Sequence, residues 1–571
     1  MPKEKDMSID GLTIRCITNE LQFLIDSKIE KIYEPTGDSI TMLLHTRNGK
    51  VRLYLSSNAN DPRVHTMEGT LVNPEKAPNF CMVLRKHLIN GKLRRIEQTG
   101  LDRVMTFVIE NKDELGILRE LNLMIEMMGK YSNIILADSS MRIMDSIKHV
   151  SIDTSSKRQI LPGTTYFPIP SGKLYAFSAT YEDYLNMEKG PVINLGEIFE
   201  GISFQYSKEI LSHLGIPENS QEILSEEQFE KAVDIIRELS EHPEPRVYSS
   251  SDGTPLAYSI MPLTGYGSSN ETVFESVDRM LDHYFSEREK KRLFQQEAQK
   301  LKKIISKNLS HVQKKMKIHL EDLSNKDKID RFLLYGELLS ANIYLLKRGQ
   351  KSAEVLNYYT GENIEIPMDQ KLSPSSNVNS YFRRAQKLKT AASLSKEKYE
   401  QEKDEAGFLE NLVYDIDASK TMEDLSDIRN ILINYKYIDT DARTKKIKQR
   451  DPLEDPIEYT TTSGKKVLVG RNSRQNEVLT LRIADGDDMW FHVKDMPGSH
   501  VILFTGGKEP TEQDIYECAI YASRHSRHND LNKVSIDYTE ARNVWKEKGS
   551  RLGMVLYRNY RTIVVNPTDR I

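Results

Sequence analysis

Apolar positions along the first 170 residues recur at short and mixed intervals. TIRCITNELQFLI (13–25) carries them at helical spacing and predicts an opening helix. IEKIYEPTGDSITMLLHTRNGKVRLYLSS (29–57) reads differently: Gly37-Asp38 and Asn48-Gly49 break it as turns would, so three successive strands are expected. NFCMVLRKHLIN (79–90) returns to helical spacing and is closed by Gly91. LRRIEQTGLDRVMTFVIEN and LRELNLMIEMM then predict strands, and NIILADSSMRIMDSI a hairpin. Residues 1–172 therefore read as an α+β domain dominated by antiparallel sheet.

Residues 173–271 break into shorter helices, SEEQFEKAVDIIRELSEH (225–242) among them. GISFQYSKEILSHLGI (201–216) fits a helix-hairpin-helix-like unit, which would offer turn amides to a phosphate backbone, and it fits a plain helical connector equally well. RVYSSSDGTPLAYSIMPL (246–263) predicts a hairpin around Asp252-Gly253 that returns to the first domain. In residues 272–440, Leu301, Ile305, Leu309, Val312, Met316, Leu320 and Leu323 recur at intervals of three and four, a coiled-coil seam. A second helix over 379–416 would pair with it antiparallel, with a small tip and its own hairpin between them. Continuous helix from 278 to 323 would reach about 65–70 Å at 1.5 Å per residue. Residues 441–571 alternate strands with one clear helix, opened by Thr511 and Asp514 in capping-box spacing. The fold class is thus multidomain α+β.

Composition narrows the classes of function. At 571 residues with 29% charged positions, the chain needs several cores, and domains of about 100–200 residues are usual. No apolar run approaches the ~18 residues of a membrane span, and MPKEKDMSID has no secretory core, so a cytoplasmic protein is expected. Cys16, Cys81 and Cys518 are scattered, which fits a reducing compartment and no zinc site. The net charge of −4 argues against a wholly basic nucleic-acid binder. Ser286 to Leu320 departs from it, with 11 Lys/Arg against 3 Glu.

No catalytic motif emerges. SGKK (463–466) lacks the first glycine of a phosphate-cradling loop, and no H-E-x-x-H or G-x-S-x-G occurs. His525 and His528 sit beside Arg524 and Arg527 as a basic helix end rather than a metal site. No metal or cofactor is expected. Basic and polar clusters remain. Asp102-Arg103 interrupts an apolar strand pattern, so alternation would send an acid to one face and a base to the other. Arg85 and Lys86 precede it, and Lys130 and Asn133 follow in MMGKYSN; neighbouring strands would let these groups share an edge. An arginine can meet phosphate or guanine while an aspartate accepts from base amino groups, a combination suited to unstacked RNA. The same residues also permit a purely local role, Asp102 capping a turn at Gly100 while Arg103 lies along the surface.

The order of eight segments carries a resemblance. PNFCMVLRKHL, EQTGLDRVMTF, EMMGKYSNIIL, RQILPGTTY, YGELLSANIY, LSPSSNVNSYFRRAQKLK, VGRNSRQNEVLT and DMWFHVKDMPGSHVILF follow one another as in the NFACT family. From about residue 8 to 565 the chain resembles that family, and its length resembles the bacterial branch, historically described as fibronectin-binding. The resemblance implies a ribosome quality control factor and not an enzyme. It would bind the large ribosomal subunit, with its 23S rRNA and stalk base, still holding peptidyl-tRNA. There it would recruit aminoacyl-tRNA, tRNA-Ala in bacteria, so that the ribosome's own peptidyl-transferase centre adds an alanine tail. A small RNA-binding partner protein of the same pathway is also implied.

The family's Asp-Arg motif, used on tRNA, matches Asp102 and Arg103. Lys302, Lys303, Lys314, Lys315, Arg383 and Arg384 on the helical arm would face ribosomal RNA. His492, Ser499 and His500 would add an RNA surface, unless WFHVKDMPGSH is simply a core strand and a glycine turn. Formamidopyrimidine-DNA glycosylases resemble the N-terminal architecture, but Met-Pro-Lys-Glu replaces their N-terminal Pro-Glu and their Cys-based zinc finger is missing. A fibronectin-binding surface adhesin is the competing class.

Overall fold

The structure is a computed structural model describing residues 9–153, 158–169, 171–187, 193–217, 223–266, 270–439, 456–527 and 531–570. The chain divides into two compact units, 1–292 and 293–571, and helix Val277–Leu323 contributes to both.

In the first unit, Asp10 opens helix Gly11–Glu20, its carboxylate accepting from Thr13 N at 2.8 Å as an N-cap. The apolar positions of that helix, Leu12, Ile14, Cys16 and Ile17, are buried. Nine strands follow: β1 (Lys28–Thr36), β2 (Ser39–Thr46), β3 (Gly49–Ser56), β4 (Arg63–Met67), β5 (Lys92–Gln98), β6 (Val104–Lys112), β7 (Leu118–Glu126), β8 (Asn133–Asp138) and β9 (Ile143–Ser146). They form one antiparallel sheet in the order β4-β3-β2-β1-β5-β6-β7-β8-β9. Thr36↔Ser39 closes the two-residue turn predicted at Gly37-Asp38, and Thr46↔Gly49 closes one at Arg47-Asn48, one residue before the expected Asn48-Gly49. Two meanders make up the sheet, joined between β1 and β5 at the single pairing Lys28↔Lys92, with helix Asn79–Leu88 as the connection.

Residues beyond 173 share the same core instead of forming a second one. Tyr184, Phe199, Tyr206, Phe229 and Tyr258 are buried in one apolar cluster with Ile14, Leu101 and Phe107. The hairpin about Asp252-Gly253 gains a third strand, Glu271–Val273, that sequence pattern does not reveal.

In the second unit, helix Pro374–Ala418 packs antiparallel against Val277–Leu323. Residue 302 meets 417, and 319 meets 402 and 395. Leu301, Ile305 and Val312 are buried in this seam with Phe408, Leu409 and Leu412. Leu320 departs from the expected pattern, because contact at that height is polar: Ser395 Oγ donates to Asp322 at 2.9 Å and lies 3.2 Å from His319 Nδ1. Between the long helices, Lys326–Ala341 and the hairpin Ser352–Asn357/Glu362–Pro367 build the tip around Leu338, Val355, Ile366 and Tyr381. Gly336 packs closely there: a Cβ would come 3.0 Å from the Phe382 ring, which would have to shift to make room.

The six-stranded C-terminal sheet covers helix Glu512–Arg524, whose Thr511–Asp514 capping box forms as its spacing predicts. Where strands with one clear helix are expected, NSRQNEVLTLRI adds a second, helical over Ser473–Val478 and continuing as a π turn to Ile483. The reason is local. Asn472 Oδ1 accepts from both Arg474 N and Gln475 N, an N-cap that outweighs the β-branched residues further on. The linker boundary at 440/441 lies outside the described residues.

Candidate nucleic-acid interface

Asp102 and Arg103 are not on a strand. They end the turn between β5 and β6, so the alternation of faces expected for them does not apply. Asp102 N donates to Thr99 O at 3.1 Å, and Gly100 takes φ +58°, the left-handed region that glycine tolerates. Three close approaches hold this turn. A Cβ on Gly11 would lie 1.7 Å from Leu101 O, one on Gly201 2.1 Å from the same oxygen, and one on Gly100 1.8 Å from Glu200 Oε1. Leu101 N donates to Glu200 Oε1 and Gln98 Nε2 to Asp102 O, both at 2.8 Å, while Arg15 donates to Gly100 O.

The Asp102 carboxylate accepts from Arg103 N at 2.7 Å, and Arg103 O accepts from Met127 N at 2.8 Å. Among the described residues the Arg103 guanidinium has no acid to pair with, and Asp102 forms no salt bridge. Both side chains are half-buried. The backbone is therefore rigid while the guanidinium keeps its hydrogen-bonding capacity for another molecule.

The register places the other expected residues. Val104 pairs with Glu126 and Glu126 with Asn133, so the Gly129–Tyr131 turn lies at the same sheet end as Asp102-Arg103. Lys130 and Tyr131 are exposed there, with Lys130 Nζ 5.0 Å from the Tyr131 ring centre. Asn133 is buried and committed to the fold, donating to Lys148 O at 2.8 Å and accepting from Lys148 N at 3.1 Å. It presents no side chain to a ligand.

Arg85 and Lys86 do not share that end. Lys86 pairs with Glu114 in the β6–β7 turn, about 27 Å away along β6 at ~3.4 Å per residue. Arg85 Nε donates to Ile32 O at 2.8 Å. Spacing along the chain could not reveal this, because β6 carries the chain the full length of the sheet between the two clusters. The residues that sequence reasoning overlooked are Gly11, Gly201 and Glu200, which become visible only when their backbones cross at Leu101.

On the second unit, Lys302 pairs with Asp417 across the long helices. Lys303, Lys307, Lys314, Lys315 and Lys317 are exposed, without ion pairs among the described residues. Offsets of four, seven and three put Lys303, Lys307, Lys314 and Lys317 on one helix face. Arg383 and Arg384 are exposed near the tip, Arg384 lying 5.5 Å from the Tyr381 ring centre.

In the C-terminal domain the core-strand reading of WFHVKDMPGSH matches the structure. Trp490 is fully buried, and Ser499 and His500 are buried, with His500 Nδ1 2.7 Å from Thr480 Oγ1. Ser499 and His500 present no outward surface to RNA, because both side chains are enclosed by the domain's own fold. Half-buried His492 lines a cavity instead, and burial pushes its imidazole down to about 4. His525 Nε2 is 3.1 Å from Tyr459 Oη, and His528 lies outside the described residues. Among the described residues no cluster of three His, Cys, Asp or Glu side chains could hold a metal, and no helix is long and apolar enough to cross a membrane.

Residues 10–451 match the NFACT N-terminal and middle domains, and residues 456–558 match the NFACT protein RNA binding domain. The chain is 34% identical to the Rqc2 homolog RqcH of Bacillus subtilis, covering 98% of both chains. It is 31% identical to that of Streptococcus suis, covering 99% of both. A solved N-terminal structure, the fibronectin/fibrinogen-binding protein of Streptococcus suis, aligns with 49% of this chain at 28% identity and a TM-score of 0.42. By the span of these matches, the chain belongs to the NFACT family.

Proposed function

We propose that this protein is a cytoplasmic ribosome quality control factor. It engages large ribosomal subunits that still carry peptidyl-tRNA and delivers charged tRNA, tRNA-Ala in the bacterial setting, so that an alanine tail grows on the stalled chain. Full-length similarity to RqcH proteins supports the reading. The observation that carries it is the Asp102-Arg103 turn, a rigid backbone that offers a guanidinium with no acid partner among the described residues. Aspartate beside arginine suits base edges better than bare phosphate. The exposed lysines from Lys303 to Lys317 supply electrostatic affinity for ribosomal RNA. The chain itself contributes binding and positioning, and the ribosomal peptidyl-transferase centre makes the bond.

Gentle capture of tagged protein from cells, followed by sequencing of its bound RNA, tests this. Large-subunit rRNA with one enriched tRNA is the expected result. Recovery without either RNA, and with the protein at the cell surface, would overturn it in favour of an adhesin.

A further inference from the structure

A cavity of about 340 Å³ lies between helix Pro374–Ala418 and the C-terminal sheet, within the range of ligand pockets. Its inner wall is aromatic. The Trp490 and His492 rings are stacked 5.7 Å apart at 16°, and Tyr557 and His500 pack against Trp490 at 4.8 and 5.2 Å. Burial holds His492 and His500 neutral, so they act as hydrogen-bonding planes and not as cations. Trp490 Nε1 is buried without a hydrogen-bond partner among the described residues, an uncommon state for an indole donor.

Asp415 uses one carboxylate oxygen on Ser473 N (3.1 Å) and Ser473 Oγ (2.6 Å). Its other oxygen has no partner among the described residues.

Gly407 is an independent sign that the space is kept open. It lines the cavity from the interior of a 45-residue helix, where glycine is less favourable than alanine. Packing does not require it, since the nearest atom to an added Cβ is Met554 Cε at 4.0 Å.

Among the described residues no lysine or arginine lines the cavity, while Glu410, Asp415 and Asp495 do, so phosphate is disfavoured inside it. A neutral planar group with donors and acceptors on its edge fits these walls. We propose that this cavity receives one unstacked nucleobase of the RNA bound by the C-terminal domain. The proposal rests on the match of residues 456–558 to an RNA-binding domain.

Trp490 supplies the readout. In full-length protein carrying Trp545→Phe, Trp490 is the remaining tryptophan. Its emission is followed during titration with a short single-stranded RNA, then with free nucleosides, inorganic phosphate and arginine as competitors. Saturable quenching reversed by nucleosides is expected. Gly407→Leu should fill the cavity and weaken RNA binding about tenfold with no loss of melting temperature, whereas Gly407→Ala should bind as the parent does. Unchanged Trp490 emission at saturating RNA, reversal by phosphate or arginine but not nucleosides, or undiminished binding by folded Gly407→Leu would each overturn the proposal. Large-subunit co-sedimentation of the same proteins separates this failure from that of the ribosomal role: retained co-sedimentation with no quenching sinks the pocket alone.

Discussion

Glu200 Oε1 accepts a hydrogen bond from Leu101 N at 2.8 Å, across 99 positions of sequence, and thereby anchors the turn that carries Asp102 and Arg103. Removing that carboxylate leaves a buried backbone donor unsatisfied, a loss of about 1–3 kcal/mol. Glu200→Ala should lower urea stability by that amount. It should also reduce tailing, measured as alanine addition to stalled chains, although both motif residues remain. Glu200→Gln keeps the acceptor and should restore much of each.

The motif side chains contribute little to folding, because among the described residues neither forms an ion pair and the Asp102 carboxylate makes one local bond, to Arg103 N. Arg103→Ala should shift stability by no more than about 0.5 kcal/mol, and Asp102→Ala by about 0.5–1.5 kcal/mol, because its carboxylate accepts from Arg103 N. The double variant should abolish tailing while large-subunit co-sedimentation largely persists. A melting temperature lowered together with both activities would instead mark the pair as structural.

Lys302 and Lys303 are adjacent but should behave differently. Lys303→Ala together with Lys307→Ala should lower the slope of log affinity against log salt for large subunits by about 2, one for each phosphate left without its lysine. Lys302→Ala should leave that slope near its original value, because its ammonium already faces Asp417.

Leu409 is fully buried in the seam between the long helices, where its truncation opens a cavity. Leu409→Ala should cost about 2–5 kcal/mol by chemical denaturation. Leu320→Ala, at a position 53% exposed on the facing helix, should cost far less even though Leu320 belongs to the expected seam pattern.

The pH dependence of the second unit should reflect two opposed groups. Burial raises the Asp415 carboxyl to about 7 from an ordinary value of 3.8. Its contribution to stability is full below pH 4 and is lost as pH rises to 7, because the unfolded chain ionises first. Asp415→Asn should therefore stabilise at pH 8 by a few kcal/mol and do nothing near pH 3.5. His492 runs the other way. Held down at about 4, it favours the fold above pH 6.5 and loses that advantage as the solution is acidified towards 4. Melting curves of the parent protein and of Asp415→Asn from pH 3.5 to 8 check both signs.

Much of the architecture is legible in local pattern. The two-residue turns at Gly37-Asp38 and Arg47-Asn48, the Thr511–Asp514 cap and the seam from Leu301 to Met316 depend on residues a few positions apart, so short-range physics decides them. Strand β4 and strand Glu271–Val273 are too short to carry a pattern and exist because a neighbouring strand pairs with them. Asp102-Arg103 stands out in sequence as a charged interruption, and that alone marked it as a candidate. Its rigidity was decided by Gly11, Glu200 and Gly201, brought to Leu101 by a backbone crossing that no local spacing encodes. Tertiary structure likewise turned Asn133, Ser499 and His500 inward and set Arg85 and Lys86 at the far end of the sheet. Sequence determined which residues could bind RNA; burial and strand length decided which of them face outward, because a polar side chain enclosed by its own fold spends its hydrogen bonds there.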